Sequence, residues 1–327
     1  MSGMTRRNAV LLGALAPVMG FTSRASADDW PSRPVTIISP YPAGGGSDII
    51  ARTVAKELGT ALGQSFVVEN RSGSAGNIGA VAVANARPDG YTMMIGGSSP
   101  IAANKLIYRK LSYDPERDFT PLSLVAAAPL LFSSHPSLPT RTLQEVIEYV
   151  KARPGQVACA NAGNGSKGHM ALLMLCHLTG MQLNHIPFRG SAPAQSALLA
   201  ATVPLCIDTA SVYIPHVQSG ELRGIAVTSK QRMSLIPDVP TVAEQGIAGF
   251  DATVWYGAVG PAGLPPKIAP RVAEIVDRWG RSSEGNAMLT RLGMIALGGT
   301  PDDLAQAVKR EFEVWGPIVK EAGIVVE

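Results

Sequence analysis

Two stretches of the sequence share one design, a short apolar strand that runs into a glycine-rich turn and then into a helix. They are Tyr41-Pro42-Ala43-Gly44-Gly45-Gly46-Ser47-Asp48 and Asn161-Ala162-Gly163-Asn164-Gly165-Ser166-Lys167-Gly168-His169. Such a turn leaves the first N–H groups of its helix without intrahelical partners, and the helix dipole reinforces their positive potential at one point in space. Each turn is therefore a candidate anion cradle, and strands that feed helices in this way imply an α/β architecture.

The surrounding pattern repeats that alternation. Val35 to Ile38, Phe66 to Val68 and Thr92 to Ile95 read as strands, with helices between them over Ile49–Leu62 and Asn77–Asn85. The middle of the chain does the same, with helices over Leu143–Lys151, Met170–Leu178 and Ala194–Ala201. Its strands lie over Val157–Ala160, Leu183–Pro187 and Leu205–Asp208, with later ones at Gly224–Thr228 and Thr253–Val259. Helix-separated strands imply parallel pairing with right-handed crossovers, and 327 residues suffice for two such lobes. The helices over Ile268–Trp279 and Asp302–Trp315 carry apolar stripes, such as Leu304, Val308, Phe312 and Trp315, that read as core packing. The run from Phe119 to Thr140 lacks charged residues but holds Pro121, Pro129, Pro136 and Pro139, which suits interlobe strands rather than a membrane helix.

Residues 1–27 have the three regions of an export signal. Arg6-Arg7 precedes an apolar run from Ala9 to Gly20, and Ala25-Ser26-Ala27 supplies a cleavage site after Ala27. An apolar run of about 12 residues is too short to span a bilayer. Thr5-Arg6-Arg7 leaves the export route open between the general secretory and twin-arginine pathways. Without Arg6, Arg7 and Arg24 the formal charge falls from +3 to about zero, so no basic surface for nucleic acid is indicated. Cys159, Cys176 and Cys206 sit in apolar settings and read as buried thiols, with one pairing left possible by an oxidising compartment.

Gly44, Gly45 and Gly46 let the backbone approach a ligand closely, and Ser47 or Asp48 is placed to cap the following helix. Gly163 to Gly168 matches G-x-G-x-x-G. No Asp or Glu occurs between Gly168 and Asp208, so the acidic partner of a dinucleotide ribose is missing. Lys167 and Arg189 either pair with a ligand carboxylate or are solvated surface charges, and His169 either donates to a ligand or is structural. The five His and three Cys show no metal-ligand spacing, and no nucleophile elbow or phosphate loop is present.

Ten motifs in order carry a family resemblance. They begin with Trp30-Pro31 to Pro34, the turn Pro40 to Asp48, Val68-Glu69-Asn70-Arg71, Gly76-Asn77-Ile78-Gly79 and Arg87-Pro88-Asp89-Gly90-Tyr91-Thr92. They continue with Gly163 to Ser166 and His169, His185-Ile186-Pro187-Phe188-Arg189-Gly190, Pro237-Asp238-Val239-Pro240-Thr241, Glu244-Gln245-Gly246 and Trp255-Tyr256-Gly257. The sequence resembles the tripartite tricarboxylate transporter receptors, also called Bug-type solute receptors.

That resemblance implies a two-lobed α/β periplasmic binding protein of type II-like layout, each lobe a mixed, mostly parallel sheet flanked by helices, with the ligand in the interlobe cleft. The expected organisation is a signal peptide over 1–27, a first lobe over 28–130, a second lobe over 131–251, and a return to the first lobe over 252–327. One ligand carboxylate is expected on Tyr41, Ala43, Gly44, Gly45, Gly46, Ser47 and Asp48, aided by Ser98 and Ser99. The other is expected on Ala162, Gly163, Asn164, Gly165 and Ser166, with His169, Gly190 and Asp208 nearby. Two positions depart from the family pattern: Phe188-Arg189-Gly190 replaces Tyr-Lys-Gly, and Ala200-Ala201-Thr202-Val203-Pro204 stands where a Gly-Gly turn is usual before the Asp208 strand.

The expected function is capture of a small organic acid by a monomeric exported receptor, without catalysis, cofactor, metal or nucleic acid, and delivery to transporter membrane subunits. A sensing role in a two-component system and an NAD-dependent oxidoreductase are the alternatives.

Overall fold

The β-branched run Val35–Ser39 forms β1, buried along nearly its whole length, and everything in the first lobe is arranged on it. This computed structural model describes residues 30–321, 323 and 325, so the expected export signal lies outside the described residues. After β1 come α1 (Gly46–Leu62), β2 (Phe66–Asn70), α2 (Asn77–Ala84) and β3 (Thr92–Gly97). β1 pairs in parallel with β2 on one side and β3 on the other, which requires the intervening helices as crossovers. α1 buries Ile50, Val54 and Leu58 at helical spacing, in one core with Val35 and Ile37 of β1.

A short α3 (Asn104–Ile107) leads into β4 (Phe119–Ser134), the strand shared by the two lobes. From Phe119 to Pro129 it runs antiparallel to Thr253–Pro261; from Leu130 to Ser134 it runs antiparallel to Leu205–Thr209 and Arg223–Val227 of the second lobe. The proline-bearing uncharged run is thus an interlobe strand, and its register slips near Pro121, which has no N–H to offer the ladder.

The second lobe contains α4 (Leu143–Lys151), β5 (Ala158–Asn161), α5 (Lys167–Thr179), β6 (Asn184–Pro187), α6 (Ser191–Leu199), β7 (Leu205–Thr209), α7 (Ile214–Gln218) and β8 (Arg223–Val227). β5 is parallel to both β6 and β7. The chain returns through β9 (Thr253–Pro261), then α8 (Ile268–Arg281), α9 (Ser283–Arg291), β10 (Ile295–Ala296) and α10 (Pro301–Glu321). The result is a two-lobed α/β fold with strand order β2-β1-β3-β9-β4-β7-β5-β6, in which β8 and β10 each pair with β4 off this path.

On α10, Leu304 and Trp315 are buried as the stripe predicts, and Val308 packs against the first-lobe core. The buried residue between them is Glu311, which no apolar pattern could announce. All three cysteines are free, Cys159 and Cys206 fully buried. Among the described residues no helix is long and apolar enough to cross a membrane.

Candidate binding site between the lobes

The first cradle starts where β1 ends. Gly45, in an extended conformation, is the N-cap of α1, and the first helical bond is Ile49 N–H to the Gly45 carbonyl at 3.1 Å. The N–H groups of Gly46, Ser47 and Asp48 lie ahead of that bond and have no partner within the helix. The expected cap by Ser47 or Asp48 is not what forms, because both lie inside the first turn. Asp48 instead reaches back: its Oδ2 accepts the Gly44 N–H and Arg52 Nε, each at 3.0 Å, and its Oδ1 accepts Asn70 Nδ2 at 2.8 Å. Burial by itself raises the Asp48 carboxyl, but Arg52, the Gly44 N–H and Asn70 together hold it below its usual value. Asp48 braces the turn from behind.

The second cradle starts at Asn161, the last residue of β5, whose Oδ1 accepts the Gly163 N–H at 2.9 Å. Gly163 has φ +124, and a Cβ there would stand 2.8 Å from the Phe188 carbonyl oxygen, so only glycine suits the position. Ser166 caps α5, its Oγ accepting the His169 N–H at 3.2 Å. His169 Nδ1 accepts the Gly165 N–H at 3.0 Å, and its ring stacks on His185 with centroids 4.1 Å apart. Burial, with a smaller push from His185, takes the His169 pKa down to about 3, so the ring is neutral.

A third helix start joins these two. Gly190 caps α6 with φ +122, and a Cβ on it would lie 2.8 Å from Cδ of Pro42 in the first lobe. A Cβ on Gly165 would lie as close to the Tyr108 ring, and Tyr108 Oη donates to the Asn164 carbonyl at 3.1 Å. The lobes are in contact around the cleft.

Between them lies an inner chamber of about 40 Å³, bounded by the starts of α1, α5 and α6 and by Asp208 and Thr209 at the end of β7. An outer pocket of about 270 Å³ continues from it past Tyr41 and Pro42 to Tyr108 and Arg189. Burial raises the phenols of Tyr41 and Tyr256, so both remain neutral. Burial also raises the Asp208 carboxyl, to about 6, against the pull of the Thr209 backbone N–H and the Ser191 and Thr209 hydroxyls.

Lys167 fits neither of its sequence readings. It is 3% exposed, and although the residue lines the chamber, its ammonium forms an ion pair with Glu311 of α10 in the first lobe. Trp255 Nε1 donates to the other Glu311 oxygen at 3.1 Å, and the Trp315 ring centroid lies 4.0 Å from Lys167 Nζ. Burial lowers the lysine pKa, and Glu311 opposes that shift. Arg189 is exposed beside the outer pocket.

Of the residues expected at the site, Tyr41, Gly45, Gly46, Ser47, Ser99, Ala162, Ser166 and Asp208 line the inner chamber, and Gly163 and Asn164 line the outer pocket. Ala43, Gly44, Asp48, Ser98, Gly165, His169 and Gly190 line neither; Ser98 begins the short helical segment after β3, and the other six lie in or behind the turns that form the walls. Pro42, Gly97, Lys167, Gly168, Ser191, Thr209, Val254 and Tyr256 also line the chamber. Several of these adjoin an expected residue in sequence. Val254 and Tyr256 arrive from β9, far along the chain, a segment that the sequence marks as a strand and by the Trp255-Tyr256-Gly257 motif but not as part of the site.

Known proteins share this fold. Residues 50–324 match the profile of the tripartite tricarboxylate transporter family receptor. Protein BugT of Bordetella pertussis is 35% identical over 321 residues, which span 98% of this chain and 98% of BugT. The structure of R. palustris Rpa4515 with adipate superposes with a TM-score of 0.88 at 36% identity, covering 90% of this chain and 99% of that one. MatC (Rpa3494) from Rhodopseudomonas palustris with bound malate superposes at 0.85 with 32% identity, covering 89% and 100%. Sequence, fold and cleft agree: the chain belongs to the receptor family of the tripartite tricarboxylate transporters.

Proposed function

We propose that the protein is an exported solute receptor that closes its lobes on a small carboxylate-bearing metabolite and delivers it to the membrane subunits of a tripartite tricarboxylate-type transporter, with the signal cleaved after Ala27. One observation carries this reading: the N-termini of α1, α5 and α6, drawn from both lobes, converge on one chamber. Their free N–H groups satisfy a carboxylate without a fixed cation, directly or through water. Lobe closure then follows from tighter binding to the closed state. The adipate and malate named with two relatives are both dicarboxylates, which fits the same chemistry. The turn argues against an NAD role: its G-x-G-x-x-G packs Gly165 against Tyr108 and Gly168 against the Ile207 carbonyl.

The test is a thermal-melt screen of residues 28–327 against mono-, di- and tricarboxylates, aromatic acids and nicotinamide, with NAD as control. A ligand at 100 times its Kd adds about 2.7 kcal/mol and raises the midpoint by several degrees. A shift with one acid class supports the receptor reading; stabilisation by NAD alone overturns it.

A further inference from the structure

Asp208 ends β7 at the wall of the inner chamber, 3% exposed. Its Oδ1 accepts the Thr209 backbone N–H at 2.7 Å, and the Ser191 and Thr209 hydroxyls act on the carboxyl from nearby, but no group among the described residues makes a hydrogen bond to Oδ2. A buried carboxylate oxygen left without a donor carries its full desolvation cost, and native folds keep such atoms chiefly where something else completes them. No cation stands ready. The Lys167 ammonium is engaged by Glu311, and Arg52 is engaged by Asp48 behind the α1 turn. The other ionisable groups that feel Asp208 are Tyr41 and Tyr256 from the first lobe and Cys206 and Tyr213 from the second, all held neutral by burial.

The chamber is therefore lopsided. Three helix N-termini offer donors, and Asp208, whose Oδ2 is buried without a hydrogen bond, stands in the wall of the same small space. A plain carboxylate satisfies the helices but sets a second negative oxygen beside Asp208. The space is also narrow: a Cβ built on Gly46 of the α1 turn would lie 2.6 Å from Tyr256 Oη and 3.3 Å from Cγ2 of Thr209, the neighbour of Asp208. A group reaching Asp208 from an acid seated on α1 must sit close to that carboxylate.

We propose that the ligand carries a hydrogen-bond donor, a hydroxyl or amino group, on the carbon next to the carboxylate held by α1, and that Asp208 Oδ2 receives it. This rests on the carboxylate reading above and narrows it to 2-hydroxy and 2-amino acids. Asp208 is then the specificity-determining residue of the site, rejecting acids that leave its oxygen unpaired.

Matched pairs test this by calorimetric titration at pH 7.5: malate against succinate, and lactate against propionate, with the wild-type chain and with Asp208→Asn and Asp208→Ala. The hydroxylated member of each pair is expected to bind roughly ten- to a hundredfold tighter to the wild type, the span of a hydrogen bond to a charged group. That ratio should collapse towards one in Asp208→Ala and shrink in Asp208→Asn, whose amide can itself donate. Equal binding within the pairs by the wild type overturns the donor requirement while leaving the receptor reading intact, and needs no variant to fold. A preference that survives Asp208→Ala removes Asp208 from the role. Failure of all four acids to bind counts against the carboxylate reading and this inference together.

Discussion

Lys167 at the start of α5 and Glu311 in the middle of α10 form a buried ion pair across the two lobes. Trp255 of β9 donates to the same glutamate, and the Trp315 ring lies against the lysine. A charge pair this enclosed contributes little net stability of its own, because both ions have left water. Removing one partner is another matter, since it strands the other charge.

Glu311→Gln should cost about 3–5 kcal/mol in the closed form. Because the pair links the lobes, most of that cost is expected to appear as lobe opening rather than unfolding. Small-angle scattering without ligand should show a larger radius of gyration, and Kd should rise. A Lys167→Met, Glu311→Leu double variant should close again, since apolar replacement of a buried pair is near neutral. Unchanged scattering and unchanged affinity in Glu311→Gln would show that the pair plays no part in closure.

Gly45 offers a way to block the chamber without damaging the fold. Its conformation is extended, and a Cβ there meets nothing nearer than the Pro42 carbonyl oxygen at 3.8 Å. Gly45→Val should therefore fold with a melting temperature within a few degrees of wild type while binding of the stabilising acid falls at least tenfold, as its methyl groups occupy the approach to the α1 N–H groups. Gly46→Ala, whose Cβ would stand 2.6 Å from Tyr256 Oη, should lose both binding and stability. Undiminished affinity in Gly45→Val would remove the α1 turn from the binding site.

The stacked histidines make stability depend on pH in a definite direction. His169 is neutral when folded, with its pKa pushed down to about 3, but takes a proton near pH 6.5 when unfolded. Its stabilising contribution is complete above pH 6.5 and is lost as pH falls towards 3, at up to about 1.4 kcal/mol per pH unit. Asp208 acts oppositely: its raised carboxyl favours the fold at low pH, and that contribution is lost as pH rises through about 6. Chemical denaturation of wild type and His169→Asn between pH 7.5 and 4.5 isolates the histidine. The wild-type advantage should narrow on acidification, and a gap independent of pH would refute this account.

Ala201 carries φ +56, in the left-handed region that costs a side chain about 1 kcal/mol or more. It lies in the turn before β7, at the departure from the resembled family pattern noted in the sequence, and that departure is a site of backbone strain. Asp208 nevertheless keeps a regular register, opposite Leu131 of β4. Ala201→Gly should raise stability by roughly 0.5–1 kcal/mol in thermal unfolding and leave ligand affinity unchanged. Destabilisation would mean that the methyl group packs better than the turn suffers.

The strand and helix pattern was legible because it is local. The β-branched run at Val35, the apolar spacing of Ile50, Val54 and Leu58, and the glycines at Gly44 and Gly163 each act within a few residues. The two cradles were legible for the same reason, since a glycine turn ahead of a helix exposes N–H groups whatever the rest of the chain does.

Which groups those cradles would face was a different kind of question. Lys167 looked like a ligand cation or a surface charge until α10, some 140 residues later, placed Glu311 beside it. Asp48 looked like a cap until Gly45 took that position and the carboxylate turned back to Gly44 and Asn70. The unpaired oxygen of Asp208, like the arrival of Tyr256 from β9, exists only once both lobes are folded together. Periodicity and turn chemistry determine the elements of this protein. The charge balance of the chamber is decided by contacts between residues far apart in the chain, where burial turns the presence or absence of one partner into a chemical property.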